Sequence, residues 1–208
     1  MTILPSAHAP RDVYRLMTAM IVPRPIAFVS SLSSAGVRNL APFSFFTAVS
    51  ANPPVVCFSP MIRSVDGSKK DTLLNIEATG EFVINIVSEE FALQMNACSA
   101  EVGPEVDEFA LSGLTPVPSE IVAPPRVMES QACMECRLLQ VVHVSALPLG
   151  GSLVLGEVLL LHADDRLFES YSLPPDRLHA IGRMGGSTYA RTTDRFEMPR
   201  PSAGTIKA

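Results

Sequence analysis

The sequence lacks an excess of positive charge. Its 16 Lys and Arg residues are outnumbered by 21 Asp and Glu residues, which gives a formal net charge of −5. Proteins whose main partner is a nucleic acid usually carry a concentrated basic surface. The charge balance therefore argues against nucleic acid as the main partner, and an anionic ligand would have to be held by a few local donors.

Long uninterrupted apolar runs are also missing. The first 25 residues contain no apolar core of signal-peptide length, and the most apolar run, 152–163, is interrupted by Gly156 and Glu157. A membrane-spanning helix needs about 20 mostly apolar residues, so we predict neither a secretion signal nor a membrane span. The four cysteines stand in apolar surroundings in a chain too large to need disulfides, which indicates a reducing compartment and predicts a cytoplasmic protein.

Several motifs of familiar enzyme classes are absent. The sequence contains no G-x-G-x-x-G, no G-x-x-x-x-G-K-[ST], no H-E-x-x-H and no G-x-S-x-G. These absences argue against a Rossmann dinucleotide site, a P-loop, a zinc protease and a serine hydrolase. The four histidines are scattered, and we interpret His162, at the end of a predicted strand, as a structural residue in preference to a pocket residue.

One pair of thiols has the spacing of a redox or zinc motif. Cys133 and Cys136 form a C-x-x-C, but the segment 131–145 is predicted to be a strand. Side chains three positions apart on a strand point to opposite faces, so the two sulfurs should point apart. Neither a second C-x-x-C nor a histidine pair at ligand spacing completes a zinc site. No metal site is predicted, and both cysteines are interpreted as core or surface residues.

The residues that are abundant favour short strands. Eighteen prolines are spread along the chain and 47% of the residues are hydrophobic, which suits many short strands better than long helices. Apolar runs bounded by turn residues predict strands at 25–32, 33–46, 53–60, 81–87, 131–145 and 152–163. We expect the first two and the last two to form hairpins. The fold class that follows is mainly β: a small antiparallel barrel with a few short outer helices, in a single domain over 1–208.

Two segments have helical spacing. At 69–80, Asp71 or Thr72 can cap a short helix that Gly80 ends, and the residues expected to face inward are Leu73, Leu74 and Ile76. At 88–99, Ser88 is the expected cap of a second helix.

Two further segments have little apolar pattern. The acidic, proline-broken stretch 100–127, with one helical turn, is predicted to cross the surface as a lid or a dimer arm. From about 183 the chain is polar, and we predict a C-terminal tail that lies on another surface.

Cations and hydroxyls gather where the first of these helices begins. The segment 63–72 contributes Arg63, Ser64, Ser68, Lys69, Lys70 and Thr72. The free N–H groups of a helix N-terminus, together with nearby Lys or Arg, form an anion site. A solvated turn followed by a helix cap is the alternative interpretation of the same residues.

The stretch 39–52 contains the residue types of a binding site for a flat ring. Pro42 is a poor strand residue that would expose neighbouring backbone groups. Small hydroxyls at Ser44, Thr47 and Ser50 alternate with phenylalanines, and a heteroaromatic ring needs apolar walls with a few polar edges. We therefore expect this stretch to form part of a ligand site.

Four segments in this order resemble a known family. They are RPIAFVSSLSSAGVRNLAPFSFFTAVSANPPVVCFSP, KDTLLNI, GEFVINIV and IGRMGGSTYART, and the resemblance runs from about Arg15 to Arg191. They are similar to the flavin reductase-like family of FMN-binding split β-barrel proteins, which includes flavoredoxin and the reductase components of two-component monooxygenases. The fold that the resemblance implies is an antiparallel Greek-key split β-barrel.

The resemblance also implies a site and an assembly. It implies a homodimer with one non-covalent FMN per subunit near the interface. The residues that it places at the isoalloxazine edge, largely through backbone groups, are Asn39, Leu40, Ala41, Pro42, Phe43 and Ser44. Those that it places at the ring edge or the ribityl chain are Thr47, Ser50, Ala51 and Asn52. The phosphate goes to Arg63, Lys70 and Thr72, and the segment from Arg183 to Tyr189 closes over a flavin of its own or the partner subunit.

Three functions stay open at this point. The first is reduction of FMN by NADH or NADPH, with electrons passed to free flavin or another small acceptor, and a monooxygenase is then a candidate partner. The second is an FMN electron carrier of the flavoredoxin type without pyridine-nucleotide activity. The third is a split-barrel relative with another cofactor or none. Because the flavin carries the chemistry, no catalytic acid or base is named.

Overall fold

The computed structural model describes residues 2–201. Met1 and residues 202–208, which belong to the predicted 1–208 domain and its polar tail, lie outside the described residues. The α-helices are α1 (Pro10–Met20), α2 (Asp71–Thr79), α3 (Ala92–Ala97), α4 (Glu108–Ser112) and α5 (Pro175–Leu178), with 3₁₀ turns at Pro5–Ala7 and Glu89–Phe91. No helix in 2–201 has the length and apolar character that crossing a membrane requires.

Most of the strands form one antiparallel sheet. In chain order the strands are β1 (Ala27–Leu32), β2 (Arg38–Phe43), β3 (Phe46–Ala51), β4 (Pro54–Phe58), β5 (Glu81–Ile86), β6 (Pro116–Val117), β7 (Arg126–Val127), β8 (Ala132–His143), β9 (Ser152–Ala163), β10 (Ile181–Arg183) and β11 (Tyr189–Arg191). The seven-stranded sheet has the order β2-β1-β5-β8-β9-β4-β3, and β6–β7 and β10–β11 form separate pairs. The mainly β, antiparallel class and the two predicted hairpins are confirmed.

The strand β1 is buried on both faces, as is typical of a short continuous apolar run. On β1, Ala27 and Val29 join one apolar cluster while Phe28 joins the other, because side chains alternate across a strand. The first cluster lies among β4, β5, β8, β9 and α2 and includes Val29, Phe58, Phe82, Ile84 and Val154. The second lies under α3 and α4 and includes Phe28, Leu40, Phe91, Met95 and Phe109. The helices α3 and α4 therefore cover the face of β1 and β2 that carries Phe28 and Leu40.

β2 pairs along its whole length, contrary to the expectation that Pro42 interrupts the ladder. Six residue pairs join it to β1, including Phe28 with Pro42. β2 is an edge strand, and the Leu40 N–H points outward, since it donates to Glu108 and not to β1. Backbone groups alternate in direction along a strand, so the Pro42 nitrogen also lies on the outer side, where a missing N–H breaks no ladder bond.

The segment 33–46 is not one strand but two strand parts. β2 ends at Phe43 and β3 starts at Phe46, on the opposite edge of the sheet. Two bend residues, Ser44 and Phe45, carry the chain between the edges. The strand β3 and the helix α1 were not predicted.

Two helix caps differ from the expectation. Lys70 occupies the N-cap of α2 without a side-chain cap bond, because Asp71 binds Arg63 and the Thr72 hydroxyl donates to Asn39. The helix ends at Gly80, as predicted, in the left-handed conformation at φ 76°. Leu74, expected to face inward, is exposed. In 88–99 the chain forms a 3₁₀ turn followed by α3, and Ser88 makes no cap bond.

The stretch 100–127 is more than a surface crossing. It contains α4, whose N-cap Asp107 accepts a hydrogen bond from the Phe109 N–H. Phe109, Leu114 and Val122 are buried, and Glu108 reaches β2. This stretch is part of the core on the β2 side. The polar tail predicted from about 183 likewise begins with strands, since β10 pairs with β11.

Candidate functional site

A buried polar cluster joins the first turn of α2 to β2. Thr72 Oγ1 donates to Asn39 Oδ1 at 2.6 Å, and Ser31 Oγ donates to the same oxygen at 3.2 Å. Asn39 Nδ2 donates to Glu108 Oε1 at 2.9 Å. These bonds use the Thr72 hydroxyl hydrogen, the Asn39 amide oxygen and one hydrogen of the Asn39 amide nitrogen inside the protein.

Glu108 completes this cluster with a carboxylate that is 5% exposed. Its Oε2 accepts the Leu40 N–H at 3.1 Å. Burial raises the pKa of Glu108, and the hydrogen bonds from Leu40 and Asn39 only partly oppose that rise. Leu40 is fully buried, and its N–H is already bonded to Glu108.

The cations predicted to hold an anion lie together at this end of α2. Arg63, Lys70 and Thr72 line one cavity of about 80 Å³ with Ala41 and Pro42 of β2. Carboxylates hold the two cations: Arg63 Nη2 lies 2.6 Å from Asp71 Oδ2, and Lys70 Nζ lies 2.7 Å from Glu101 Oε1. These two carboxylates also line the cavity and would compete with an anionic ligand for the cations.

Arg63 also has a polar atom with nothing to bond. Its Nε is buried and has no hydrogen-bond partner anywhere in residues 2–201. A buried N–H without a partner costs free energy, and such groups are often completed by a bound ligand. The positive end of the α2 dipole lies at the same place. The cavity therefore has the donors of an anion site.

A second cavity adjoins the first along β2. It has a volume of about 270 Å³ and shares Pro42 and Ser99 with the anion cavity. Its other walls are Tyr14, Ile26, Ser44, Met95, Asn96, Arg183 and Tyr189. The guanidinium of Arg183 lies 4.5 Å from the centre of the Tyr189 ring. We call the two adjoining cavities the β2 groove.

The β2 groove contains most of the residues that the sequence pointed to. Of these, the groove is lined by Asn39, Ala41, Pro42, Phe43, Ser44, Arg63, Lys70, Thr72, Arg183 and Tyr189. Four others lie elsewhere: Thr47, Ser50, Ala51 and Asn52 are exposed on or just after β3 and line neither cavity. At about 3.3 Å per residue, the far end of β3 lies about 17 Å from Phe46. One copy of the chain therefore keeps residues 50–52, at the far end of β3, away from the groove.

Several residues of the groove were missed from the sequence. Tyr14 reaches it from α1, and Asn96 and Ser99 reach it from the end of α3. Pro10 before a run with helical spacing is a start signal that could have revealed α1. Glu101 and Glu108 gave no signal, because their partners are far away in the sequence.

A buried arginine fixes one end of the groove. Arg24 is 4% exposed, and its Nη1 donates to the carbonyls of Thr18 at 2.5 Å and Ile21 at 2.8 Å at the end of α1. Its Nη2 donates to Met184 O at 3.0 Å, and its Nε donates to Ser44 Oγ at 3.2 Å. One side chain thus holds α1, the β10–β11 turn and the Ser44 hydroxyl in fixed positions.

The other candidate groups are structural. Glu135 Oε1 lies 2.6 Å from His162 Nε2, and the Glu135 carboxylate accepts the backbone N–H groups of 120–122. His162 is therefore a structural residue, as interpreted. Cys133 and Cys136 lie in different apolar clusters, and the described residues contain no group of side chains able to hold a metal ion.

The β2 groove fits a flat ring that carries a phosphate. Its anion end has two cations, the first turn of a helix and the unpartnered Arg63 Nε. Its wider end has apolar and aromatic walls with a few hydroxyl and amide groups, which is the usual lining of a site for a heteroaromatic ring. These are the features that FMN requires, so the residues present fit that cofactor.

Comparisons with known proteins agree with this geometry. A model of the flavin reductase like domain matches residues 18–184. The structure is similar to nitrilotriacetate monooxygenase component B from Bacillus cereus, with 35% identity, 95% of this chain and 98% of that chain covered, and a TM-score of 0.90. It is also similar to the 2-nitrobenzoate 2-nitroreductase NbaA of Pseudomonas fluorescens, with 30% identity, coverage of 100% and 99%, and a TM-score of 0.89.

A third structure supports the fold. A protein of Shewanella frigidimarina with a split barrel domain is 22% identical, covers 94% of this chain and 96% of its own, and has a TM-score of 0.81. The predicted split barrel is thereby confirmed. Together with the match over 18–184, the sheet order and the β2 groove lead to one conclusion: the chain belongs to the flavin reductase-like family.

Proposed function

We propose that the chain binds FMN in the β2 groove and transfers electrons from NADH or NADPH, through that FMN, to free flavin or another small acceptor. The observation that carries the proposal is the junction of an anion site with an apolar groove, joined through Pro42 and Ser99. Membership of the flavin reductase-like family supports it independently.

The residues of the groove divide the cofactor between them. Arg63 and Lys70 bind the phosphate, with the first-turn backbone of α2 at Thr72. Ala41 to Ser44 meet the edge of the ring, and Arg183 with Tyr189 covers it. For the phosphate to bind, Lys70 exchanges its bond with Glu101 for one with the ligand. Bound there, FMN would supply the redox chemistry, namely the acceptance of a hydride from a pyridine nucleotide and the transfer of electrons to an acceptor.

The protein's own part is binding and orientation. Arg24 fixes Ser44 and the end of α1, so the walls of the groove are held before a ligand arrives. Hydride transfer needs no protein acid or base. The three carboxylates that line the anion end are all engaged: Asp71 by Arg63, Glu101 by Lys70, and Glu108 by Asn39 and Leu40. We therefore assign no catalytic acid or base.

We infer further that the functional unit is a homodimer. All residues of α1 except Thr18 are at least partly exposed, and its apolar side chains include Met20, which is 75% exposed. Contiguous exposed apolar surface of this kind usually marks an interface. A second copy would also give a role to Thr47 and residues 50–52, which line neither cavity of their own chain: they would meet the FMN of the partner subunit. Light scattering should give the mass of a dimer, and a monomer at micromolar concentration would contradict this inference.

The relatives suggest the kind of acceptor. The similarity to a monooxygenase component supports a role as the flavin-reducing partner of a monooxygenase, and the similarity to a nitroreductase supports direct reduction of a small aromatic acceptor. A flavoredoxin-type carrier is the alternative, and it differs in a measurable way because it does not react with pyridine nucleotides.

Two measurements test the proposal. The purified protein should be yellow, or it should bind added FMN at about one FMN per chain. The quenching of flavin fluorescence measures this binding. A colourless protein that takes up no FMN would contradict flavin binding. Anaerobic mixing with NADH or NADPH should then bleach the flavin absorbance near its visible maximum, whereas a flavin that stays oxidised with both would identify a carrier.

A further inference from the structure

Beside the β2 groove lies a third cavity whose charged lining is entirely cationic. It has a volume of about 420 Å³ and is lined by four arginines, Arg11, Arg15, Arg24 and Arg183, together with Tyr14, Thr18, Ala19, Ser44 and Met184 to Gly186. Among these described lining residues there is no aspartate or glutamate. We call it the arginine cavity. It shares Tyr14, Ser44 and Arg183 with the β2 groove, so the two adjoin.

The helical repeat of α1 builds one wall of the arginine cavity. Positions 11, 14, 15 and 18 lie on one face of an α-helix, and these are the residues that α1 contributes, with Ala19. The only salt bridge of Arg15 within residues 2–201 is to Asp12 at 3.6 Å, and both side chains are more than 60% exposed. A pair so exposed contributes little and leaves the guanidinium available.

The floor of the arginine cavity is a buried positive charge. All the partners of Arg24 within the described chain are neutral, namely three carbonyls and the Ser44 hydroxyl. Burial lowers the pKa of Arg24, and the nearby charge of Arg183 lowers it further. The charges of Arg24 and Arg183 therefore repel each other, and within the described chain neither forms a salt bridge with a carboxylate, so their field attracts a small anion.

The wall of the arginine cavity opposite α1 consists mainly of the backbone of the β10–β11 turn. Gly185 and Gly186 form the β10–β11 turn, and Gly186 has a φ of +61°, which favours glycine. A methyl group added at Gly185 would already touch Ala19 of α1. The turn thus lies close to α1 without filling the space beside it. The cavity of about 420 Å³ has room for a group of a few atoms with its attached ring or chain.

We propose that the arginine cavity binds the oxyanion, a carboxylate or a phosphate, of the small molecule that exchanges electrons at the β2 groove. Guanidinium groups match planar or tetrahedral oxyanions with paired hydrogen bonds. The anion is held between Arg11, Arg15 and Arg183, while the rest of the molecule passes Tyr14 and Ser44 into the groove. The function of the groove in this inference rests on the proposed FMN binding, but the anion site itself consists only of protein groups.

Two sources of the oxyanion can be told apart with redox-inactive probes. ADP-ribose carries the diphosphate of a pyridine-nucleotide donor, and benzoate carries the carboxylate of an aromatic acceptor. Adenosine and benzamide are their uncharged counterparts. In isothermal titration calorimetry on the FMN-loaded protein, we expect at least one anion to bind about 10-fold or more tightly than its uncharged counterpart. ADP-ribose alone would identify the donor and benzoate alone the acceptor. Equal binding of anion and counterpart in both arms would overturn the proposal.

A double variant locates the binding. Arg11→Gln with Arg15→Gln should weaken the bound anion by about 10-fold or more while the affinity for FMN stays unchanged. The matched control, Arg137→Gln with Arg166→Gln, removes two exposed arginines that line none of these cavities and should change neither affinity. Unchanged anion affinity in the first variant would overturn the proposal.

The same titrations on protein freed of FMN separate the two claims. If FMN fails to bind but the anion binds and depends on Arg11 and Arg15, the proposed function fails and the anion site stands. If FMN binds and the anion does not, the anion site fails and the proposed function stands.

Discussion

Thr72 Oγ1 donates to Asn39 Oδ1 at 2.6 Å, and this bond ties the first turn of α2 to the edge strand β2. Both residues are buried, so the bond is protected from water. It sets the distance between the anion end of the groove and the strand that would meet a ring. The spacing between the two ends is therefore fixed before a ligand binds, which lowers the entropy cost of binding.

Lys70→Ala should weaken FMN binding by about 1–3 kcal/mol, the range of a hydrogen bond to a charged group. The reason is that Lys70 Nζ lies at the anion end, where it can exchange its bond with Glu101 for one with a phosphate. Fluorescence titration of FMN measures the change. Unchanged affinity would show that the phosphate lies elsewhere.

Glu101→Gln is the matched variant for Lys70→Ala. It removes the carboxylate that holds Lys70 in the free protein while the side chain keeps its size. Since no ion pair has to be given up, FMN should bind at least as tightly as in the wild type. Weaker binding would show that Glu101 positions Lys70 instead of competing with the ligand.

Glu108→Gln should change how stability depends on pH. Burial raises the pKa of Glu108, so the folded chain binds this proton more tightly than the unfolded chain does. The stability from this group is complete below its ordinary value of 4.5 and is lost as the pH rises through the higher folded pKa. In urea unfolding from about pH 4.5 to about pH 8, the stability of the variant relative to the wild type should rise with pH. A difference that does not change with pH would contradict the raised pKa.

Glu135→Gln should show the opposite trend. Burial would raise the pKa of Glu135, but hydrogen bonds from Glu120, His162, Ile121 and Val122 hold it below its usual range. A lowered pKa stabilises the fold above the ordinary value, and this stability is lost as the pH falls through the lower folded pKa. The deficit of this variant in urea unfolding should therefore be larger at neutral pH than near pH 4. An equal deficit at both would refute the lowered pKa.

The native protein should have no fast-reacting thiol. All four cysteines are buried, and burial raises the pKa of Cys98 and of Cys133 to about 11 and raises that of Cys136 as well. Because the thiolate is the reactive form, a thiol reagent should react only as fast as the protein unfolds. In denaturant all four should react at once. A rapid reaction of Cys133 or Cys136 in the native protein, located by mass spectrometry, would contradict the structural interpretation of the C-x-x-C.

Gly156→Ala should destabilise the fold by about 1–3 kcal/mol, the usual cost of overpacking. A Cβ at this position would collide with the Phe82 ring, which itself packs against Phe58 at 5.6 Å between ring centres. Thermal and urea unfolding measure the loss. Gly36→Ala is a useful comparison, because a Cβ there meets no atom within 4 Å and its cost comes only from the φ of +80°.

Local patterns in the sequence were enough to predict much of this fold. Apolar runs bounded by turn residues predicted β1, β4, β5, β8 and β9, because a strand that packs in the core needs such a run. The cation-rich helix start predicted the anion end of the groove, since Arg63, Lys70 and Thr72 are close in the chain as well as in space. The resemblance to a family added the ring end.

The missed features depend on contacts between distant parts of the chain. Glu108 meets Leu40 across 68 residues, and Arg24 meets Met184 across 160, so no local spacing reveals either pair. The bond from the Leu40 N–H to Glu108 was missed for this reason. The break between β2 and β3 also has no strong local signal, because Ser44 and Phe45 are ordinary strand residues in composition.

The bonds of Arg24 to the end of α1 and to the β10–β11 turn have a consequence for biosynthesis. A ribosome makes the chain from the N-terminus, so α1 and the strands of the large sheet emerge before Met184 and Tyr189 exist. The groove walls at that end can close only after the last strands have left the exit tunnel. We therefore expect the proposed binding of FMN to follow synthesis of these last strands, and a nascent chain arrested before residue 184 should form the sheet without binding FMN.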